Sequence, residues 1–126
     1  MIVAPIVAGL GFSSQATAHS LRAAYELASA GHDVTALATV ADKDGHPALT
    51  EFAQHLNLPL HLLPADDLAG QRTLTCSPRS RATYGTGSVA EAAALSAAGP
   101  GARLLAPRHI STDRLATCAV AIGVPS

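Results

Sequence analysis

Apolar runs of strand length alternate with segments of helical spacing along most of this chain, and that alternation restricts its fold more than any other feature. Residues 2–8 form a continuous run rich in Val and Ile, the pattern of a strand buried on both faces. Pro5 inside the run moves this strand toward a sheet edge. Gly9-Leu10-Gly11 reads as a turn, and Ser13 and Ser14 as an N-cap. Ala18, Leu21, Tyr25 and Ala28 follow as one helix face, stopped at Gly31. Asp33 leads into a second buried-type run at 34–40, then a polar loop at 41–46. Pro47 sits at the first turn of a helix with Leu49, Phe52, Ala53 and Leu56 on one face, bracketed by Asn57 and Pro59. Residues 60–63 make a short third strand, and residues 64–68 one or two helical turns with acids near the start.

Residues 71–86, with Pro78 and three arginines, read as a loop. Ser88 and Glu91 match the S-x-x-E capping box, and an Ala-rich helix runs from there to Ala98, ended by Gly99-Pro100-Gly101. Residues 103–106 and 117–122 are the fourth and fifth strands. The connection between them is short enough for a hairpin, which makes that pair antiparallel. The expectation is α/β: a single three-layer α/β/α domain over residues 1–126, with a mostly parallel sheet of about five strands and an antiparallel C-terminal strand pair. A length of 126 residues fits one domain, and 48% apolar content supplies its core. Aromatic residues are only 3% and Trp is absent, so the core is built of small side chains, with no platform for stacking bases.

A net charge of −1 exerts no global pull on nucleic acid. The distribution is uneven. Up to Gly70 the bases are Arg22 and Lys43 against seven acids; beyond it stand Arg72, Arg79, Arg81, Arg103, Arg108 and Arg114 against Glu91 and Asp113. Arg is the side chain best suited to paired contacts with carboxylate or phosphate. Cys76 and Cys118 have neither CxxC spacing nor disulfide density, which predicts reduced thiols in a cytoplasmic protein. The N-terminal run is too short and uncharged for a signal peptide, and no stretch reaches the length of a membrane span.

Three segments carry polar chemistry. The Gly9, Gly11, Ser13 and Ser14 segment places free backbone N–H groups at a helix start, where a carboxylate or phosphate could sit. A dinucleotide fingerprint would need a glycine at Ser14, and a Walker lysine is missing. Thr39 and Lys43, the sole lysine, lie at the carboxyl end of the second strand, where open α/β sheets bind ligands. Thr86, Gly87 and Ser88 form a second anion-ready helix start, although Ser88 and Glu91 are already accounted for as reciprocal caps. The six histidines show no HxxH or HxxxH spacing, which predicts no metal site, and no G-x-S-x-G elbow is present. No resident cofactor is expected, and no catalytic residue can be assigned.

Several blocks, in order, resemble the CobE family and the C-terminal domain of the CbiG proteins. They are Val7 through Phe12, Ala36 through Thr39 with Lys43 after it, Leu56 through Leu60, Ser88 through Leu95, Gly99 through Leu104, and the closing Ala119 through Ile122. The resemblance covers nearly the whole chain. It implies a compact α/β domain acting in cobalamin (corrin-ring) biosynthesis. Full-length CbiG-type proteins are associated with opening the ring-A lactone of a cobalt-precorrin and releasing acetaldehyde, whereas this chain matches only the C-terminal domain. It departs from the family at Ser13-Ser14-Gln15, where relatives often carry Arg-Arg-Gly. It departs again at Thr86-Gly87-Ser88, where Thr-Pro-Ser is common, and near Arg108, which stands in for part of a Lys-rich stretch. Corrin precursors bear acetate and propionate carboxylates around an apolar macrocycle. The resemblance therefore implies a precorrin or corrinoid ligand, for which Arg72, Arg79, Arg81, Arg108 and the Gly-containing helix starts are suitable partners. The leading expectation is a carrier that binds an intermediate without converting it. The alternatives are a precorrin hydrolase using Lys43 or a helix-start hydroxyl, and a module that completes another pathway enzyme. Neither nucleic acid nor membrane is an expected partner.

Overall fold

The computed structural model describes residues 4–125. Its elements are β1 (Ile6–Phe12), α1 (Ala18–Ser29), β2 (Ala36–Val40), a 3-10 turn (Ala41–Lys43), α2 (Pro47–Leu56), β3 (Leu60–Leu63), α3 (Ala65–Ala69), α4 (Pro78–Tyr84), α5 (Val89–Ala98), β4 (Arg103–Leu104), β5 (His109–Ile110) and β6 (Ala116–Ile122). They form one mixed sheet of six strands in the order β3-β2-β1-β6-β4, with β5 also on β6. β1, β2 and β3 are parallel to one another, and β6 runs antiparallel to β1, β4 and β5. One apolar cluster lies under α1 and α2, built on Leu21, Ala24, Leu49 and Phe52. The other lies under α5 and α3, built on Leu68 and the alanines of α5. The domain is thus the expected three-layer α/β/α arrangement, with one strand more than expected and with β6 paired to β1 along its whole length.

The first strand is displaced from its predicted place. Residues 2–3 lie outside the described residues. Pro5 stands before β1, and the strand lies between β2 and β6 rather than at a sheet edge; it runs through Gly9 and Gly11, which are strand residues rather than a turn. The reason is the crossing of α5. A Cβ at Gly9 would land on the Ala90 carbonyl and within 2.7 Å of the Ala94 nitrogen. Small residues on both surfaces let helix and strand backbones approach this closely, which is what an Ala-rich, Trp-free core is suited to. The N-cap of α1 moves accordingly from Ser13 and Ser14 to Thr17. Thr17 Oγ1 accepts from Ser20 N at 3.2 Å and Ser20 Oγ accepts from Thr17 N at 3.1 Å, a reciprocal box.

The region 71–86 is also corrected, because it contains α4. Ser77 caps that helix, Pro78 occupies its first position and Gly85 ends it at φ +71°. No residue of α4 is buried, so it has no apolar stripe for a sequence pattern to detect. The 107–115 connection holds β5, and the strand predicted over 103–106 shortens to Arg103–Leu104.

Candidate functional site

At the carboxyl ends of β1 and β2 the chain leaves the sheet, and the start of β6 lies beside them. Helix α4 stands over the same edge. Together they enclose a cleft of about 410 Å³. The end of β1 contributes Gly11 and Phe12 with Ser13 and Ser14 beyond it, and the 3-10 turn contributes Lys43. α4 contributes Arg79, Ser80, Thr83 and Tyr84, with Ser77 at its cap. Arg108 and Arg114 approach from the segments on either side of β5, and Val89, Leu115, Ala116 and Thr117 complete the lining. This is the sheet edge at which open α/β folds hold ligands.

Local contacts fix the walls. The Lys43 ammonium sits 5.1 Å from the centre of the buried Phe12 ring, a cation–π placement. His46 meets the same ring edge-on at 5.2 Å. His46 Nδ1 accepts from Ala48 N at 3.1 Å and so caps α2, which leaves the ring proton on Nε2 to be donated to the Ser14 carbonyl at 2.9 Å. The Tyr84 hydroxyl donates to Asp42 at 2.9 Å and joins the end of α4 to the 3-10 turn. Partial burial first, and the Asp42 carboxylate second, push the Tyr84 phenol up to about 12, so it stays protonated.

Arg114 occupies a left-handed turn at φ +63°. Asp113 anchors that turn: Oδ1 accepts from Ser111 Oγ at 2.6 Å and Leu115 N at 3.0 Å, and Oδ2 accepts from Ser20 Oγ at 2.6 Å. These bonds, led by that of Ser111, hold the Asp113 carboxyl at about 2. The turn that carries Arg114 is thereby tied to the start of α1.

Of the site residues expected from sequence, the cleft gathers Gly11, Ser13, Ser14, Lys43, Arg79 and Arg108. Gly9 lies under α5 instead. Thr39 is fully buried and donates to the Leu10 carbonyl at 2.8 Å, holding β2 to β1. Arg81 is exposed on α4 and does not line the cleft. Thr86, Gly87 and Ser88 are buried, and the 73–76 segment covers them. A Cβ at Gly87 would come within 2.6 Å of Thr73 Oγ1 and 2.7 Å of the Thr75 carbonyl. The anion-ready helix start read there is therefore closed to a ligand. Arg114 and the hydroxyl-bearing face of α4 were not anticipated. The Asx-type pattern Ser111-Thr112-Asp113 was the available signal for the first, and Ser77-Pro78 for the second.

Among the described residues no cluster of three His, Cys, Asp or Glu side chains could hold a metal ion, and no helix is long and apolar enough to cross a membrane. Burial pushes the Cys118 thiol up, far from nucleophilic use, while Cys76 is exposed.

Residues 6–121 match the family described as Cobalamin synthesis G C-terminus. The chain belongs to this family. As a member of the cobalamin synthesis G C-terminal family it is a protein of the cobalamin biosynthesis pathway. Solved structures agree with that assignment. The crystal structure of CobE, a protein from the cobalamin (vitamin B12) biosynthetic pathway, superposes with a TM-score of 0.86 at 30% identity, over 100% of this chain and 96% of CobE. Cobalamin biosynthesis protein chiG from Agrobacterium tumefaciens str. C58 gives 0.71 at 34% identity, over 94% of this chain and 98% of that one. A cobalamin biosynthesis protein G homolog from Sulfolobus solfataricus gives 0.69 at 19% identity, a likeness of fold alone. The shared region is 96% of this chain and 37% of that protein. No curated protein sequence matches.

Proposed function

We propose that the chain binds a corrinoid intermediate of cobalamin biosynthesis at this cleft and carries it without converting it. The observation behind this reading is that four separate segments each bring one cation to a single cleft: Lys43, Arg79, Arg108 and Arg114. One phosphate or one carboxylate would need only a local pair of these. Cations drawn from four separate segments suit a ligand with several spaced carboxylates, as a corrin precursor has. Phe12, Val89 and Leu115 add apolar surface to the same lining. The volume, about 410 Å³, lies toward the low end of the range of roughly 300–1,000 Å³ usual for small-molecule sites. The ligand's carboxylate-bearing edge therefore enters while its ring lies across the mouth.

Among the described residues that line the cleft there is no carboxylate, imidazole or thiol. The lining hydroxyls and Lys43 thus have no carboxylate, imidazole or thiol beside them in the lining to act as a general base, which supports binding over conversion. The test is an absorbance titration of the purified chain with precorrin and hydrogenobyrinic-type compounds, followed by mass analysis of the mixture. The expected result is a saturable spectral shift with unchanged ligand mass. A changed mass would replace the carrier reading with the hydrolase reading. The absence of a shift with every compound would move the function to contacts with other pathway enzymes.

A further inference from the structure

Glu91 does not line the cleft, yet it holds two of its walls. It lies in the first turn of α5 and is fully buried. Ser88 Oγ accepts from Glu91 N at 3.2 Å, which is the expected cap. The reciprocal half of the predicted box is not formed, because the carboxylate reaches across to other segments. Oε1 accepts from Leu74 N and Thr75 N, each at 2.9 Å, and from Thr75 Oγ1 at 3.2 Å. Oε2 accepts from Arg108 N at 2.8 Å. Leu74 and Thr75 lead into α4, which carries Arg79, and Arg108 is itself a cleft cation.

A capping-box acid needs only to reach back to the N-cap N–H one turn away, at the surface of the helix end. A buried carboxylate is costly unless its oxygens are hydrogen-bonded, and here both are, by four donors from two chain segments. We infer that Glu91 is a positioning residue of the cleft, one carboxylate fixing the Arg108 segment relative to the α4 segment. For its ligand this inference rests on the corrinoid reading above. The acid itself is required. Gln at this position keeps the shape but turns one oxygen into a donor. Whichever way that amide is placed, it meets the N–H of Arg108 or those of Leu74 and Thr75, donor against donor.

The experiment has two readouts. Amide hydrogen exchange is followed in wild type and Glu91→Gln, without ligand. Affinity for hydrogenobyrinic acid is measured for wild type, Glu91→Gln, Arg108→Ala, Lys43→Ala, and Glu91→Gln combined with each alanine variant. In wild type the amides of Leu74, Thr75 and Arg108 should exchange slowly. In Glu91→Gln they should lose protection while β1 and β6 keep theirs. Affinity should fall by roughly tenfold or more, as it would if one charge-assisted contact between a displaced cleft cation and the ligand were lost. That loss should overlap with the loss from Arg108→Ala and multiply with that from Lys43→Ala, since Lys43 stands on the separate 3-10 turn.

Fast exchange of the three amides in wild type overturns the inference even where Glu91→Gln does not fold. So does unchanged affinity in a folded Glu91→Gln protein, or an identical combination pattern with Arg108→Ala and Lys43→Ala. A wild-type protein that fails to bind the corrinoid sinks the ligand reading instead. Exchange at Leu74, Thr75 and Arg108 then decides alone whether Glu91 joins the two segments.

Discussion

Gly9 and Gly11 lie two residues apart on one strand, and replacing each with Ala should separate stability from binding. At Gly9 the new methyl would meet backbone atoms of α5, the Ala90 carbonyl and the Ala94 nitrogen, and neither can rotate away. Overfilling a close-packed core costs about 1–3 kcal/mol, and rigid backbone obstacles place Gly9→Ala at the upper end. The alanine also restricts the unfolded chain, which returns about 0.4–1 kcal/mol. The net loss is about 2–3 kcal/mol, or a Tm lower by roughly 6–15 °C for a domain of this size. At Gly11 the nearest atom is Thr117 Oγ1 at 2.8 Å, a side chain able to turn, and the next is Ala90 N at 3.5 Å. Gly11→Ala should therefore cost within about 1 kcal/mol, part of it the bond from Thr117 Oγ1 to the Gly11 carbonyl. Gly11 lines the cleft, so this milder variant should be the one that alters corrinoid affinity in the folded protein. Urea unfolding followed by circular dichroism measures the stability of both variants, and absorbance titration their corrinoid affinity. A Gly9→Ala protein as stable as wild type would refute the close crossing of α5 over β1.

Other perturbations test the site's electrostatics. Arg79→Ala should weaken corrinoid binding by roughly tenfold or more, while Arg81→Ala, on the exposed side of α4, should leave it unchanged; absorbance titration of the two variants compares them. Asp113 is held at about 2 against an ordinary 3.8, chiefly by the Ser111 hydroxyl and then by that of Ser20. A depressed carboxyl stabilises the fold fully above its unfolded value and less as pH falls toward its folded one. Wild type should therefore lose stability between about pH 4 and pH 2 relative to Asp113→Asn, a difference read from urea midpoints across that range. Cys76 should react readily with an exposed-thiol reagent in the native protein, while Cys118, buried in β6, should react only on unfolding.

Much of the layer order could be read from the chain because it rests on long apolar runs. The second and third strands, the Pro47 start of α2 and the Ala-rich α5 all follow from periodicity and cap residues. The misplacements share a cause. Gly9 and Gly11 read as turn residues because a sequence carries no sign of the helix that crosses them, yet that crossing is what demands glycine. Helix α4 went undetected because periodicity reports burial, and no residue of α4 is buried. Glu91 fits a capping pattern three residues after Ser88, and only the fold brings Leu74, Thr75 and Arg108 to its carboxylate. The arginine-rich second half indicated an anionic partner. Which arginines converge depends on β5 and on the Asp113 turn, and neither has a long apolar run to mark it.

The central claim is that four cations around one cleft receive the carboxylates of a corrinoid. Nuclear magnetic resonance of the arginine Nε–H groups and the lysine Nζ during titration with hydrogenobyrinic acid tests it most directly. Lys43, Arg79, Arg108 and Arg114 should shift together and saturate at one stoichiometry, with Arg22, Arg81 and Arg103 unmoved. Saturation with shifts at Arg22 or Arg103 and none in the cleft would contradict the account.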